Sequence, residues 1–175
     1  SECVKEERAR ITRESAEYAL EVEWVKRMTG LTAALFCVLL FSAFAQFILE
    51  IDVEWYNSLS KPSFMLSPFG FRVTVCLMYA CVVAVITRLV VGKHFFPSTV
   101  ILALTAVFAL VCLFCIFRAR ALVGGAFSAC LLVAASLVLG VRFAFKDGTL
   151  ALIYVPVFLF NVYTLAVMCF LALNN

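Results

Sequence analysis

Few side chains in this sequence have types and spacings that support chemistry. Cys112 and Cys115 form a CxxC pair, which suits a redox or zinc site, but no second pair of ligands follows and both lie within an apolar run. A packing role is the alternative, and the other cysteines inside apolar runs share it. No nucleophile–base pair and no paired carboxylates stand within the apolar runs, so the sequence does not indicate an enzyme.

Asn161 is a polar side chain in the middle of the last apolar run. A polar group at such a position usually faces the interior of the protein, because an unsatisfied amide is costly in an apolar environment. Two roles stay open for it at this point. It could contact a bound molecule, or it could form a hydrogen bond to a neighbouring helix.

A polar stretch, WYNSLSKPSF at residues 55–64, separates the first two apolar runs. Trp55 and Tyr56 are amphipathic aromatic residues of the kind that favour a membrane–water interface. The long stem of Lys61 lets its ammonium group reach a lipid headgroup or a ligand carboxylate. Pro62 fixes the backbone and biases the preceding lysine toward an extended conformation. These residues predict an ordered loop at the surface of a membrane.

The composition indicates a membrane protein. The chain has 175 residues, of which 65% are hydrophobic, whereas a soluble domain carries about 45–50%. The net charge is +3, and the basic residues of the apolar region stand at the ends of its runs. They therefore indicate anchors at the membrane interface and not a surface for nucleic acid.

Five apolar runs define the predicted architecture. Each is about 19–25 residues long, which is enough for a helix to cross a hydrocarbon core of about 30 Å. Short connections between them make neighbouring helices antiparallel. The sequence therefore predicts an all-α membrane protein, a five-transmembrane-helix bundle. The runs cover residues 31–49, 68–91, 97–117, 121–145 and 149–173.

Residues 1–29 differ from the rest of the chain and are predicted to form a separate N-terminal amphipathic helix, followed by a five-helix domain over residues 30–175. Val4, Ile11, Tyr18 and Val25 recur at every seventh position among many charged residues, which is typical of a narrow apolar stripe on a helix. The stripe could lie on the membrane surface, pack on a partner, or belong to a solvated extension.

The loop resembles a known family. Its matching residues are Trp55, Tyr56, Leu59, Lys61, Pro62, Ser63 and the aromatic Phe64, with Tyr79 in the next run. This pattern is similar to the WY..L.KPSW motif of the TspO/MBR family, the translocator protein or peripheral benzodiazepine receptor. Phe117, Arg120 and Pro156 also fall at the spacings of that family. The resemblance covers about residues 31–175 and leaves the N-terminal helix outside.

The resemblance implies a fold and a function. Members of the family are five-helix bundles whose first loop folds over the mouth of a pocket, and they bind tetrapyrroles, sterols and isoquinoline-type drugs. It therefore implies an integral membrane protein, in a mitochondrial, other organellar or ER membrane, that binds or transports such a hydrophobic ligand. No resident cofactor is implied, although haem or a porphyrin could be the ligand. His94 is then a haem ligand or a solvated loop residue.

The ligand-binding residues expected on this basis come from the loop and from the second and fifth runs. Lys61 and Asn161 would supply polar anchors, and the aromatic residues would supply the walls. Apart from the lipid bilayer, the expected partners are a second copy of the chain or a larger complex held through the N-terminal helix, and no nucleic acid. The expected site comprises Trp55, Tyr56, Lys61, Pro62, Phe64, Tyr79, Phe160, Asn161 and Tyr163.

Departures from the family pattern support an alternative function. Phe64 stands where the motif has tryptophan, Leu66 and Ser67 stand where two prolines are expected, and only two tryptophans occur in the chain. Residues that shape the loop are kept, whereas residues that would line a pocket are lost. The alternative is a non-catalytic structural subunit of a large organellar membrane complex, respiratory or photosynthetic, that keeps the fold without the ligand site.

Overall fold

The computed structural model describes residues 2–49, 53–92 and 95–175, and within this part of the chain no strand is present. The predicted all-α fold is confirmed. Five long helices and one short helix cover most of the described residues. They are α1 (Glu2–Leu49), α2 (Val53–Ser58), α3 (Pro68–Val91), α4 (Phe95–Phe117), α5 (Leu122–Lys146) and α6 (Gly148–Asn174).

Five of the helices, α1 and α3 to α6, are long and apolar enough to cross a membrane. The bounds of α3 to α6 follow the predicted apolar runs closely, because length and hydropathy set the extent of a spanning helix, whereas α1 begins well before its predicted run. Ser67 caps the N-terminus of α3, where its hydroxyl oxygen accepts from the backbone N–H of Gly70 at 3.1 Å, and Pro68 follows in the first turn.

The charged N-terminal segment and the first apolar run form one continuous helix, α1, of 48 residues. Gly30, at the boundary between them, does not end the helix. It is buried against α3, where an added Cβ would lie 3.2 Å from the carbonyl oxygen of Thr87. This glycine therefore serves the close approach of two helices. The division of the chain at residue 30 into two domains stays a prediction.

The five long helices form a closed ring. In order around it, α1 contacts α3, α3 contacts α6, α6 contacts α5, α5 contacts α4, and α4 returns to α1. A smaller contact between α3 and α4 crosses the ring. The seam between α5 and α6 is packed more extensively than the seam between α3 and α6. The tight packing of α5 on α6 follows from their connection, since only Asp147 separates the two helices.

Two apolar clusters fill the ring, one near each end. We call the end that carries the α5–α6 turn the turn end, and the end that carries residues 53–67 the loop end. The turn-end cluster comprises Val85, Leu89, Leu139, Phe143, Leu150, Tyr154 and Val157. The loop-end cluster comprises Cys112, Ile116, Ala129, Met168 and Leu171.

The turn end is closed by the helices themselves. The carboxylate of Asp147 accepts from the backbone N–H groups of Thr149 at 3.0 Å and Leu150 at 3.3 Å, which satisfies the N-terminus of α6. Arg88 of α3 donates to the other carboxylate oxygen at 3.0 Å. The hydrogen bond from Leu150, followed by the interaction with Arg88, lowers the pKa of Asp147 below its ordinary value of 3.8.

Candidate ligand-binding site

The loop at residues 59–67 covers the loop end of the ring. Trp55 of α2 and Leu59 pack against the loop-end cluster, and Pro62 is buried beside them. The backbone then turns sharply, with the N–H of Met65 donating to the carbonyl oxygen of Pro62 at 3.1 Å.

The sequence predicts a loop over residues 55–64, but residues 55–58 lie in α2, and the loop itself spans residues 59–67. It folds over the helices with Pro62 buried, whereas Phe64 and Leu66 are exposed at 51% and 38%.

The turn between α4 and α5 supports the loop from the side. The guanidinium carbon of Arg120 lies 5.8 Å from the centroid of the Trp55 ring, a distance at which a cation is attracted to the face of an aromatic ring. Arg120 has a φ of 50°, a left-handed conformation that is uncommon for residues other than glycine. The turn therefore holds a strained residue where it contacts the loop.

Hydrogen bonds from α6 fix the loop at two points. The N–H of Ser60 donates to the side-chain oxygen of Asn175 at 2.7 Å, and the side-chain amide of Asn175 donates back to the carbonyl oxygen of Ser60 at 3.2 Å. Further along, the N–H of Leu66 donates to the hydroxyl of Tyr163 at 2.9 Å. Two side chains of the last helix thus satisfy backbone groups of the loop.

A row of aromatic rings runs beneath the loop along the seam between α3 and α6. Phe64 of the loop meets Phe170 edge to face, with ring centroids 6.2 Å apart. Phe160 lies 6.1 Å from Phe71 of α3 and 6.0 Å from Tyr163. Phe64 and Phe71 are about half exposed, at 51% and 45%. We call Phe64, Phe71, Phe160, Tyr163 and Phe170 the aromatic row.

The structure brings some of the expected site residues together and separates others. Phe64, Phe160 and Tyr163 belong to the aromatic row. Lys61 is exposed at the surface of the loop, and its ammonium group donates to the side-chain oxygen of Asn57 at 3.3 Å. Tyr79 lies on a different seam, between α3 and α1, where it packs edge to face on Phe41 with centroids 6.4 Å apart.

Asn161 takes part in a buried hydrogen-bond cluster between α5 and α6. Its side-chain amide donates to the hydroxyl of Ser136 at 3.0 Å, and Ser136 shares a second hydrogen bond of 2.7 Å with the hydroxyl of Tyr154. All three residues are buried. This arrangement favours the interhelical role of Asn161 over contact with a ligand, because its amide already joins two packed helices.

Cys112 of the CxxC pair is buried and contacts the backbone of α5. The thiol of Cys112 lies 3.6 Å from the carbonyl oxygen of Gly125. Within the described part of the chain, no three histidine, cysteine, aspartate or glutamate side chains are grouped as a metal site would need. Gly125 itself is buried where an added Cβ would collide with Met168, so it allows α6 to approach α5 closely. The side chain of Tyr56 and all of His94 lie outside the described residues.

Three residues of this site were not anticipated from the sequence. Phe71 and Phe170 complete the aromatic row, and Asn175 holds the loop. A signal for Phe170 exists, since it follows Tyr163 by seven residues and therefore shares its side of α6. The sequence contains no comparable indication for Phe71 or Asn175, because their partners are distant along the chain. Asn175, for example, is 115 residues from Ser60.

Comparison with known proteins gives one match. Residues 32–173 match the model of the TspO/MBR family. No curated protein matches the chain. The matched region begins within α1, beyond Gly30, and extends nearly to the end of α6. It therefore contains the whole ring, the loop and the aromatic row, and it leaves out the charged N-terminal part of α1.

Proposed function

This chain belongs to the TspO/MBR family, and on that premise we propose that it binds or transports a hydrophobic ligand within a membrane and is not an enzyme. The observation that carries the proposal is the aromatic row beneath the pinned loop. Flat hydrophobic ligands are held by aromatic walls with a few polar groups at the rim. The row supplies those walls where α3 and α6 pack less extensively than α5 and α6 do.

The arrangement favours binding along the seam over binding in the centre of the ring. At the loop end, the side chains of Trp55 and Leu59 occupy the space above the loop-end cluster. A ligand in the centre would have to displace both. A ligand at the seam would instead stack on rings that are already partly exposed, with Lys61 at the rim to attract a carboxylate.

The chemistry of these residues suits a tetrapyrrole or a sterol. A porphyrin offers a wide aromatic face for Phe160 and Phe71 and carboxylates for Lys61. A sterol offers the same apolar area without a negative charge. The family membership supports this ligand class. We expect the protein in a mitochondrial, other organellar or ER membrane.

Titration of the purified protein with protoporphyrin IX and with cholesterol tests the proposal. Fluorescence of Trp55 is the readout, in a Trp24→Phe background that leaves one tryptophan. We expect Phe160→Ala to weaken protoporphyrin binding at least about fivefold, since an aromatic contact contributes about 1 kcal/mol beyond the area it buries. Phe127→Ala, which removes a ring that is 67% exposed on α5, is the matched control and should leave the affinity unchanged.

A lysine variant separates the two ligand classes. Lys61→Ala should weaken the binding of protoporphyrin, which carries carboxylates, and should not alter the binding of cholesterol, which has none. Loss of affinity to the same degree in Phe160→Ala and Phe127→Ala would contradict the proposed seam. Absence of saturable binding for both ligands would contradict the ligand-binding function itself.

A second function, that of a structural subunit, is favoured by a different observation. The part of α1 before Gly30 is about 40 Å long, and it presents large apolar side chains that are mostly exposed. Exposed apolar patches of this kind often mark contact with another protein. The exposed side chains are Ile11 at 58%, Tyr18 at 71%, Trp24 at 64% and Val25 at 55%.

Native size after gentle extraction decides between the two functions. A ligand-binding protein should migrate as a monomer or a homodimer, with residues before Gly30 sensitive to protease. A structural subunit should migrate in a band of many hundreds of kilodaltons, and a double substitution of Tyr18 and Val25 by serine should release it. Release by Val123→Ser on α5, the exposed control at 74%, would count against docking through α1.

A further inference from the structure

The basic side chains of α5 at the turn end outnumber the acidic side chains that α4, α5 and α6 supply. Asp147 is the only acidic residue between positions 95 and 175 of the sequence. Its carboxylate is already engaged by Arg88 of α3 and by the N-terminus of α6. Arg142 and Lys146 of α5 therefore have no acidic residue on α4, α5 or α6 with which to pair.

Arg142 also has an unsatisfied donor. Its Nε atom is buried and has no hydrogen-bond partner among the described residues. Arg142 lies about 7 Å deeper along α5 than Asp147, by the rise of a helix. A buried donor on a charged group is costly when unpaired, and such groups in native proteins usually have a partner such as water or an ion.

The direction of this side chain follows from the spacing of α5. Ser128, Ala135 and Arg142 recur at seven-residue intervals, which keeps them on nearly the same side of the helix. The hydroxyl of Ser128 donates to the carbonyl oxygen of Phe108 in α4 at 2.9 Å. Arg142 lies fourteen residues after Ser128 on α5. Because α4 runs antiparallel to α5, the matching position on α4 lies about fourteen residues before Phe108. Arg142 is therefore level with the N-terminal end of α4.

Two further features of this location favour an anion. Lys146 stands one turn beyond Arg142 on the same side of α5, and it is exposed. The nearby N-terminus of α4 adds a partial positive charge. Paired basic side chains at the membrane interface between helices bind the phosphates of lipid headgroups. We propose that Arg142 and Lys146 form a binding site for a phosphate group, at the turn end of α5 beside α4.

The Arg142–Lys146 site is separate from the aromatic row, which lies toward the loop end of the ring. A negative result for phosphate binding would therefore not contradict the proposed ligand-binding function. Native mass spectrometry of the full chain tests it, with dioleoylphosphatidylglycerol and dioleoylphosphatidylcholine as probes. We expect wild type to retain phosphatidylglycerol preferentially. Arg142→Gln and Lys146→Gln should each weaken that retention about fivefold, the effect of one basic residue near an anionic lipid.

The matched control is Arg72→Gln, which removes an exposed arginine of α3 at the loop end and should leave retention unchanged. A second arm adds inorganic phosphate to delipidated protein. Thermal stabilisation by phosphate in wild type, but not in Arg142→Gln, would assign the site to free phosphate, whereas lipid adducts that survive delipidation would assign it to a headgroup.

Two outcomes would overturn the site. One is retention of phosphatidylglycerol by both variants at the wild-type level, together with no effect of inorganic phosphate. The other is an equal loss in Arg72→Gln, which would indicate a general effect of charge. If Arg142→Gln does not fold, as judged by its circular dichroism, Lys146→Gln carries the test, because its side chain lies at the surface.

Discussion

The two ends of the ring are closed in different ways. At the turn end, large side chains such as Phe143 and Tyr154 meet edge to face with ring centroids 5.4 Å apart, and both are about 1% exposed. At the loop end, the helices supply aliphatic residues, small ones such as Ala129 and larger ones such as Met168, and the aromatic Trp55 packs on them with Leu59 from outside the five long helices.

Because of this difference, the turn end should contribute more to the stability of the bundle, and the loop end should control access to its interior. The turn end is closed by side chains of the spanning helices, so it opens only when the bundle comes apart. The loop end is closed by a segment that α6 holds through a few hydrogen bonds, so it can open without loss of the helix packing. A ligand that enters the protein should therefore do so at the loop end, and substitutions at the two ends should have different consequences.

The largest effect is expected from Phe143→Ala at the turn end. It leaves a cavity in the buried cluster, which costs about 3–5 kcal/mol in soluble proteins. In a membrane the cost should be about 2–3 kcal/mol, because lipid is as apolar as the cluster and only packing is lost. Equilibrium unfolding in mixed micelles measures the change. Phe145→Ala, at a position that is 87% exposed, is the control and should be nearly neutral.

A smaller and local effect is expected from Tyr163→Phe at the loop end. This change removes the hydroxyl that accepts from the N–H of Leu66 and should cost about 1 kcal/mol. Hydrogen exchange of the Leu66 amide should then rise about fivefold, with global stability almost unchanged. Tyr18→Phe, which removes an exposed hydroxyl on α1, is the control. A fall in global stability as large as that of Phe143→Ala would contradict a loop that opens independently.

The smallest effect is expected from the charge of Asp147. The pKa of Asp147 is lowered in the folded state. The ionised carboxylate therefore stabilises the fold at pH values above the unfolded pKa of about 3.8. This stabilisation is lost as the pH falls through the lower pKa of the folded state. Stability of the wild type should therefore decline below about pH 4. Asp147→Asn keeps the cap of α6, since asparagine caps as well as aspartate, but should lack this contribution. An equal decline in both proteins would assign the acid sensitivity to other carboxylates.

Local signals in the sequence were enough for the elements and the family. Runs of apolar residues long enough to cross a bilayer predicted the five spans, because membrane insertion depends on hydropathy summed along the chain. Pro62 and its neighbours predicted an ordered loop, because proline restricts the backbone directly. The pattern around Trp55 led to the family that the match over residues 32–173 confirms.

Contacts between distant residues were decided only by the tertiary structure. The spanning helices are apolar on nearly all sides, so periodicity did not reveal which side of each faces a neighbour. The family resemblance assigned Tyr79 and Phe160 to one expected site, whereas in the fold Tyr79 packs on Phe41 and Phe160 packs on Phe71. Helix order and rotation in the ring set these pairs, and both arise from packing that involves the whole bundle at once.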